Sequence, residues 1–195
     1  MVTGFRQETG IWIIYILPLD PYRNVVEKAK YSVVRSHGDV EIRRYPPLVV
    51  AKVEGRRDGA FNILFKFISG ANRQKAKVSM TAPVISERID MTAPVLSEAD
   101  SLAFVMPDKY TLETTPDPTD ERIEIVEIPS RHLAVLRFSG RWTDSAFEKR
   151  SRKLLDQVKS AGIETKGGVF SMLYNAPYTP WFMRRNEVAI EVVAE

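Results

Sequence analysis

Hydrophobic and polar positions along the chain repeat with two different periods, and the switches between them outline the elements. Val40–Arg44 alternates apolar and charged residues, and Leu48–Glu54 is a valine-rich run, so both predict strands. Tyr31–Arg35 predicts another, joined to the next by a turn at Ser36-His37-Gly38-Asp39. The period then lengthens. Phe61, Leu64, Phe65 and Ile68 recur every three or four residues, which predicts a helix over 58–69 with Asp58 at its cap and Gly70 at its stop. Val78–Ser86, Ile89–Ser97 and Leu102–Met106 return to strand character, and a proline-rich loop covers 107–121. Beyond it come strands at Ile123–Ile128 and His132–Phe138, a long amphipathic helix at Thr143–Ala161, and closing strands at Val169–Tyr174 and Val188–Val193.

The second series repeats the first. LVVAKVEGR (48–56) aligns with LAVLRFSGR (133–141), EIRRYP (41–46) with EIVEIP (124–129), and DGAF (58–61) with DSAF (144–147). Several matches in one order, about 85 residues apart, point to two related halves, 31–106 and 122–195. The expected architecture is α+β: one domain over 31–195, a distorted antiparallel β-barrel of two pseudo-symmetric strand-helix-strand halves with two flanking helices. Residues 1–30 form an N-terminal extension. Related halves leave a cleft in which a ligand can bind.

The two helices differ. The second has a single apolar stripe of Phe147, Leu154, Val158 and Ala161, with Leu155 beside it, and is otherwise charged. One partner surface satisfies it. The first adds Ile63 and Phe67 to its stripe, an arc wider than one sheet covers. Either both faces are packed, in the core or against Ile11–Leu17, or one side lines a pocket for a large flat apolar ligand with Lys66 at its edge.

Composition narrows the function. At 44% hydrophobic and 27% charged, the chain reads as an ordinary soluble globular protein. Its net charge of +3 is spread over short doublets such as Arg43-Arg44, Arg56-Arg57 and Arg184-Arg185, not a stripe, so no nucleic acid is expected as partner. Cysteine is absent, which excludes thiolate nucleophiles and cysteine metal sites and fits a reducing, cytoplasmic location. The apolar run Ile11–Leu17 is too short to span a bilayer, which needs about 20 residues. A buried strand, a peripheral membrane contact or a protein-docking segment are its readings.

MTAPV-x-SE is written twice, from Met80 and from Met91. Pro83 and Pro94 cannot donate to a ladder, so bends or bulges are expected there, with Thr81 and Thr92 satisfying backbone groups freed by the bends. Together with EIRRYPPLVVAKVEG, SGAN (69–72), FVMP (104–107) and the closing YNAP…RRNEV (174–177, 184–188), this motif resembles the SOUL/heme-binding-protein family over about Tyr31 to Val193. The resemblance implies the duplicated fold shared with GyrI-like effector-binding domains. It also implies heme, or a related tetrapyrrole, bound in a hydrophobic groove beside the first helix.

Carried over through SGAN, the groove residues fall on Phe61, Leu64, Phe65 and Lys66. A porphyrin face gains from burial against such side chains, and its propionates call for Lys or Arg at the rim. Arg56, Arg57, Arg184 and Arg185 are the other candidates. A basic loop residue of some relatives falls near Thr179 or Pro180 and has no match. Some relatives carry an axial histidine where this chain has Pro46. His132, at a strand start, is the remaining weak axial candidate, ahead of His37 in its turn, and the methionines read as core filling. Binding without a strong axial ligand is expected, as carrier, buffer or sensor.

No catalytic motif appears, and the chain reads as a binder, not an enzyme. The alternative is a GyrI-like small-molecule sensor or hydrolase using Tyr174 and Glu187. Strand alternation places Glu187 opposite Val188, Ile190 and Val192 and so predicts it exposed.

Overall fold

The computed structural model describes residues 27–55, 57–88, 100–175 and 178–193. Ile11–Leu17, Arg56, the strand expected at Ile89–Ser97 and the second MTAPV copy lie outside the described residues, as do the side chains of Arg57 and Asp58. The elements are β1 (Glu27–Lys28), β2 (Ser32–His37), β3 (Val40–Tyr45), β4 (Leu48–Glu54), α1 (Arg57–Ile68), β5 (Thr81–Arg88), β6 (Asp100–Val105), β7 (Ile123–Ile128), β8 (Arg131–Phe138), α2 (Asp144–Ser160), β9 (Thr165–Leu173), a 3-10 turn (Trp181–Met183) and β10 (Asn186–Val192).

The strands form one sheet in the order β2-β3-β8-β10-β9-β5-β6-β4-β7, with β1 added in parallel to β5. Every other pairing is antiparallel. The sequence duplication explains the order. Exchanging β3, β4, β5 and β6 with β7, β8, β9 and β10 maps the series from β3 to β7 onto its own reverse. The first strand of each half therefore pairs with the second strand of the other half, and the halves meet at β5 and β9.

The sheet is curled but not closed, which corrects the expected barrel. β2 and β7 are its edges and do not meet. Both edges discourage further pairing. β2 is exposed along its whole length and carries Arg35 and His37, while β7 sets Glu124 and Glu127 outward.

One sheet face forms a single core. Tyr45, Val50, Ile85, Val105, Leu133, Val135, Phe170, Met172 and Ala189 come from both halves and pack in one cluster, so this face is the inside of the curl. The outer face carries two separate cores, one under each helix. Val84, Leu102 and Phe104 meet Ala60, Leu64, Phe67 and Ile68 of α1. Ile42, Leu136 and Val188 meet Phe147, Leu154 and Val158 of α2. The α2 stripe is the expected one. Thr143 caps α2, its hydroxyl accepting from the Ala146 amide at 3.1 Å. α1 ends as expected at Gly70, whose φ of +113° suits glycine. Asp58 does not cap; it lies inside the first helical turn.

Pro83 sits at a break in register between Thr81 and Val84 of β5, the bulge its missing N–H demands. Thr81 does not serve the bend as expected: its hydroxyl is buried with no hydrogen-bond partner.

Thr143→Ala removes a capping oxygen from the first turn of α2 and is expected to cost about 1 kcal/mol. The check is a lowered urea midpoint at constant slope, with Thr143→Ser close to wild type.

Candidate functional site

Successive α1 residues are rotated by about 100° around the helix axis. Ala60, Leu64, Phe67 and Ile68 therefore share the face that enters the core. This places Leu64 beneath the surface, fully buried, and not on an open groove wall. Phe61 and Phe65 lie together on one flank, with stacked rings 6.1 Å apart. Phe61 is held by an edge contact to Phe104 at 5.3 Å, and Phe65 remains 50% exposed.

Lys66 opens on the opposite flank. With Ile63, Phe67 and Ile123 it lines a surface cavity of about 570 Å³, rimmed by Asp120 and Arg122. Arg122 donates to both carboxylate oxygens of Asp120, at 2.8 and 2.6 Å. Those bonds hold the Asp120 pKa down at about 2, so the rim keeps a matched pair. α1 thus presents two apolar flanks, an aromatic one and one beside a lysine. Arg57 begins the helix, but its side chain is outside the described residues.

The aromatic flank faces the middle of the sheet. Phe104, Val84, Leu173, Asn186 and Phe138 are successive partners across β6, β5, β9, β10 and β8. Two strand steps, about 10 Å, separate Phe104 from Leu173. There the chain leaves β9 for the loop 174–185 and returns at Asn186. That loop bears Tyr178, Trp181, Phe182 and Met183, all exposed. It also bears Arg184, whose Nε donates to the Thr179 carbonyl at 2.7 Å. Sequence reasoning missed these four side chains. Their signal was the run WFM beside RR in a proline-bounded loop.

Arg185 turns inward instead. Glu187, expected to be exposed, is fully buried. β10 lies between β8 and β9, and both of its faces are covered, one by α2 and the other by the inner core. The charge is tolerated because it is paired twice. Arg43 Nη1 donates to Oε2 at 2.9 Å, and Arg185 Nε donates to Oε1 at 2.9 Å. Arg43 also donates to Glu41 and to the Tyr45 hydroxyl, and it lies 4.3 Å above the Tyr31 ring. Burial alone would push the Arg43 guanidinium down; the bonds to Glu187 and Tyr45 outweigh it and hold it up. Tyr45 and Tyr174 are pushed up by burial. The Tyr174 hydroxyl has no hydrogen-bond partner, and the Arg185 guanidinium lies over the Tyr174 ring, 4.0 Å from its centre.

The histidines are elsewhere. His132 is six residues along β8 from Phe138, about 20 Å from the row that carries the aromatic flank. His37 ends β2 and is exposed. Met106 and Met172 are buried and Met80 packs under α1, which leaves Met183 as the exposed thioether of the loop. Among the described residues no group of three or more His, Asp or Glu side chains could hold a metal ion. No helix there is long and apolar enough to cross a membrane.

Two measurements check the inner network. Glu187→Ala strands two guanidiniums in a dry site and is expected to cost about 3–5 kcal/mol of unfolding free energy. Tyr45 and Tyr174 are expected to ionise above the usual tyrosine range near 10. The unfolded chain releases those protons near pH 10 while the native state retains them. Stability is therefore complete below pH 10 and falls above it, by about 1.4 kcal/mol per pH unit for each tyrosine. Tyrosinate absorbance against pH reads this directly: a late-titrating component is expected, and a smaller one in Tyr174→Phe.

Solved structures share the fold. The C-terminal domain of EcmrR superposes with a TM-score of 0.60 at 11% identity, covering 85% of this chain and 99% of that one. A hydrolase encoded by lin2189 from Listeria innocua gives 0.58 at 11% identity, covering 80% and 92%. A chain of the EcmrR–DNA complex gives 0.60 at 10% identity, covering 80% of this chain and 57% of that one. At such identities the likeness is one of fold alone. A sequence comparison with curated proteins returns no match. A family model matches over residues 26–191, nearly the whole chain, and by that match the protein belongs to the SOUL heme-binding protein family.

Proposed function

We propose that the protein binds heme or a related tetrapyrrole on the aromatic flank of α1, as a carrier, buffer or sensor. The observation that carries this reading is the Phe61–Phe65 pair. It is stacked and supported by Phe104, yet half of Phe65 is left in water. A porphyrin laid on this flank removes its own apolar face and the Phe65 ring from water together. Leu64 supports the surface from below without touching the ligand. The carboxylate tails are drawn to Arg184 on the loop side, whereas Lys66 opens on the opposite flank of α1 and does not face this ligand. Arg185 contributes less, because its guanidinium is engaged by Glu187. Arg57 stands at the start of the same helix as a further cation. The iron receives no strong protein ligand in this reading, since His132 lies far along β8.

The hydrolase alternative is less well supported. A general base needs an oxygen free to take a proton. Both Glu187 oxygens are occupied by guanidinium donors, and the residue has no solvent contact. The DNA-bound structural relative makes no claim on nucleic acid here.

Titration with hemin, followed through its Soret band, tests the proposal. Saturable binding at micromolar hemin is expected. Phe65→Glu should weaken it by about tenfold or more, from the lost burial and an added repulsion against the propionates. Arg184→Gln should weaken it by a smaller factor, and His132→Ala should leave it unchanged. Binding insensitive to Phe65→Glu, or abolished by His132→Ala, overturns the assignment.

A further inference from the structure

We infer that the loop 174–185 is a contact for an anionic lipid surface, a role separate from tetrapyrrole binding. Within six residues it exposes Tyr178, Trp181, Phe182 and Met183, at 91%, 52%, 61% and 65% of their full areas. One exposed apolar residue is ordinary, but four large ones together make a patch.

The patch is held in place by hydrogen bonds within the protein. The Met183 amide donates to the Pro180 carbonyl at 2.9 Å, and the Gly140 amide donates to the Trp181 carbonyl at 3.1 Å. Arg184 Nε donates to Thr179 and the Arg185 amide to the Asn175 side chain, each at 2.7 Å. Trp181 and Phe182 brace each other edge to face at 5.6 Å. The backbone is thus fixed while the apolar side chains face outward.

Charge and size select the partner. The loop contains two arginines and no acidic residue. Arg141 is exposed one residue beyond Gly140, and the Arg150 guanidinium lies over Phe138 at the same end of β8. The acid that follows the loop, Glu187, is buried between two guanidiniums. Aromatic rings at the headgroup level with arginines on the phosphates are the chemistry of a membrane interface. The four side chains offer roughly 500 Å², short of the roughly 800 Å² per partner of a stable protein interface.

The test uses the full chain and phosphatidylcholine vesicles with and without phosphatidylserine, in the absence of any tetrapyrrole. Co-sedimentation is expected with the anionic vesicles, weakening as salt is raised, with a blue shift of tryptophan emission. Trp181→Ser/Phe182→Ser should reduce binding at least tenfold at unchanged Tm, and Arg141→Glu should reduce it by a few-fold. Three outcomes overturn the inference. One is no binding to anionic vesicles. Another is binding that survives Trp181→Ser/Phe182→Ser, which places the contact elsewhere in the chain. The third is a dimer in lipid-free solution that the same double variant dissociates, which makes the patch a protein interface. Because no tetrapyrrole is present, none of these outcomes bears on the hemin titration.

Discussion

Glu187 sits in the dry interior between Arg43 and Arg185, and much of the chain is arranged around keeping it there. A lone buried carboxylate would cost several kcal/mol, so each donor has to be in place when the strand is buried. Arg185 is local, two residues away on the same chain segment. Arg43 is not: it comes from β3, 144 residues earlier, and reaches across β8 to make its bond. β3 belongs to the first half of the duplication and β10 to the second. The pair therefore ties together the two halves at the place where they have exchanged strands. Tyr31 and Tyr45 flank the Arg43 guanidinium and Tyr174 flanks that of Arg185, so the charges are enclosed by rings that are themselves part of the inner core.

That enclosure follows from the curl of the sheet. When one face folds onto itself, residues from both halves bury each other and no helix is needed inside. The helices are left for the outer face, where each covers its own patch. Strand exchange lets each half complete the other without closing a barrel. Each end of the series terminates in a strand with charged side chains outward, and there the pairing stops. The two halves consequently share one interior but have two independent exteriors, and the exteriors are free to differ in what they bind.

The repetition of strands and helix and the α2 stripe were legible in the sequence, because each is set by local spacing. Glu187 was not. Alternation tells which face of a strand a residue occupies, but not whether that face is wet, and in β10 both are dry. Closure was misjudged for a related reason: patterning fixes strand faces, whereas a barrel needs its last strand to meet its first. Leu64 and Phe65 are adjacent members of one apolar arc, and nothing in their spacing says which of them turns into the core. The loop aromatics oppose the rule that places such residues inside, so composition pointed away from them. Arg184 and Arg185, identical in type, separate only in three dimensions, one on the loop and one in the inner network.

The two helices show how one of the exteriors came to be left unfinished. Aligning DGAF with DSAF sets Phe61 opposite Phe147, Phe65 opposite Ser151 and Ile68 opposite Leu154. In α2 this stripe faces the sheet: Phe147 and Leu154 are buried, and Trp142 and Phe138 close around Phe147. In α1 the corresponding stripe is rolled aside by most of one residue's turn of about 100°. Ala60, Leu64 and Phe67 fill the core in its place, where α2 has Ala146, Arg150 and Lys153. Those two basic residues cannot enter a core, so α2 has no second stripe to roll onto. In α1 Leu64 and Phe67 at those positions supply one, so that Ile68 alone of the first stripe stays in the core, with Phe61 half-covered and Phe65 in water. The exposed aromatic surface is thus a consequence of two apolar positions a turn apart, and it arises in one half only, although the backbone plan of both is the same.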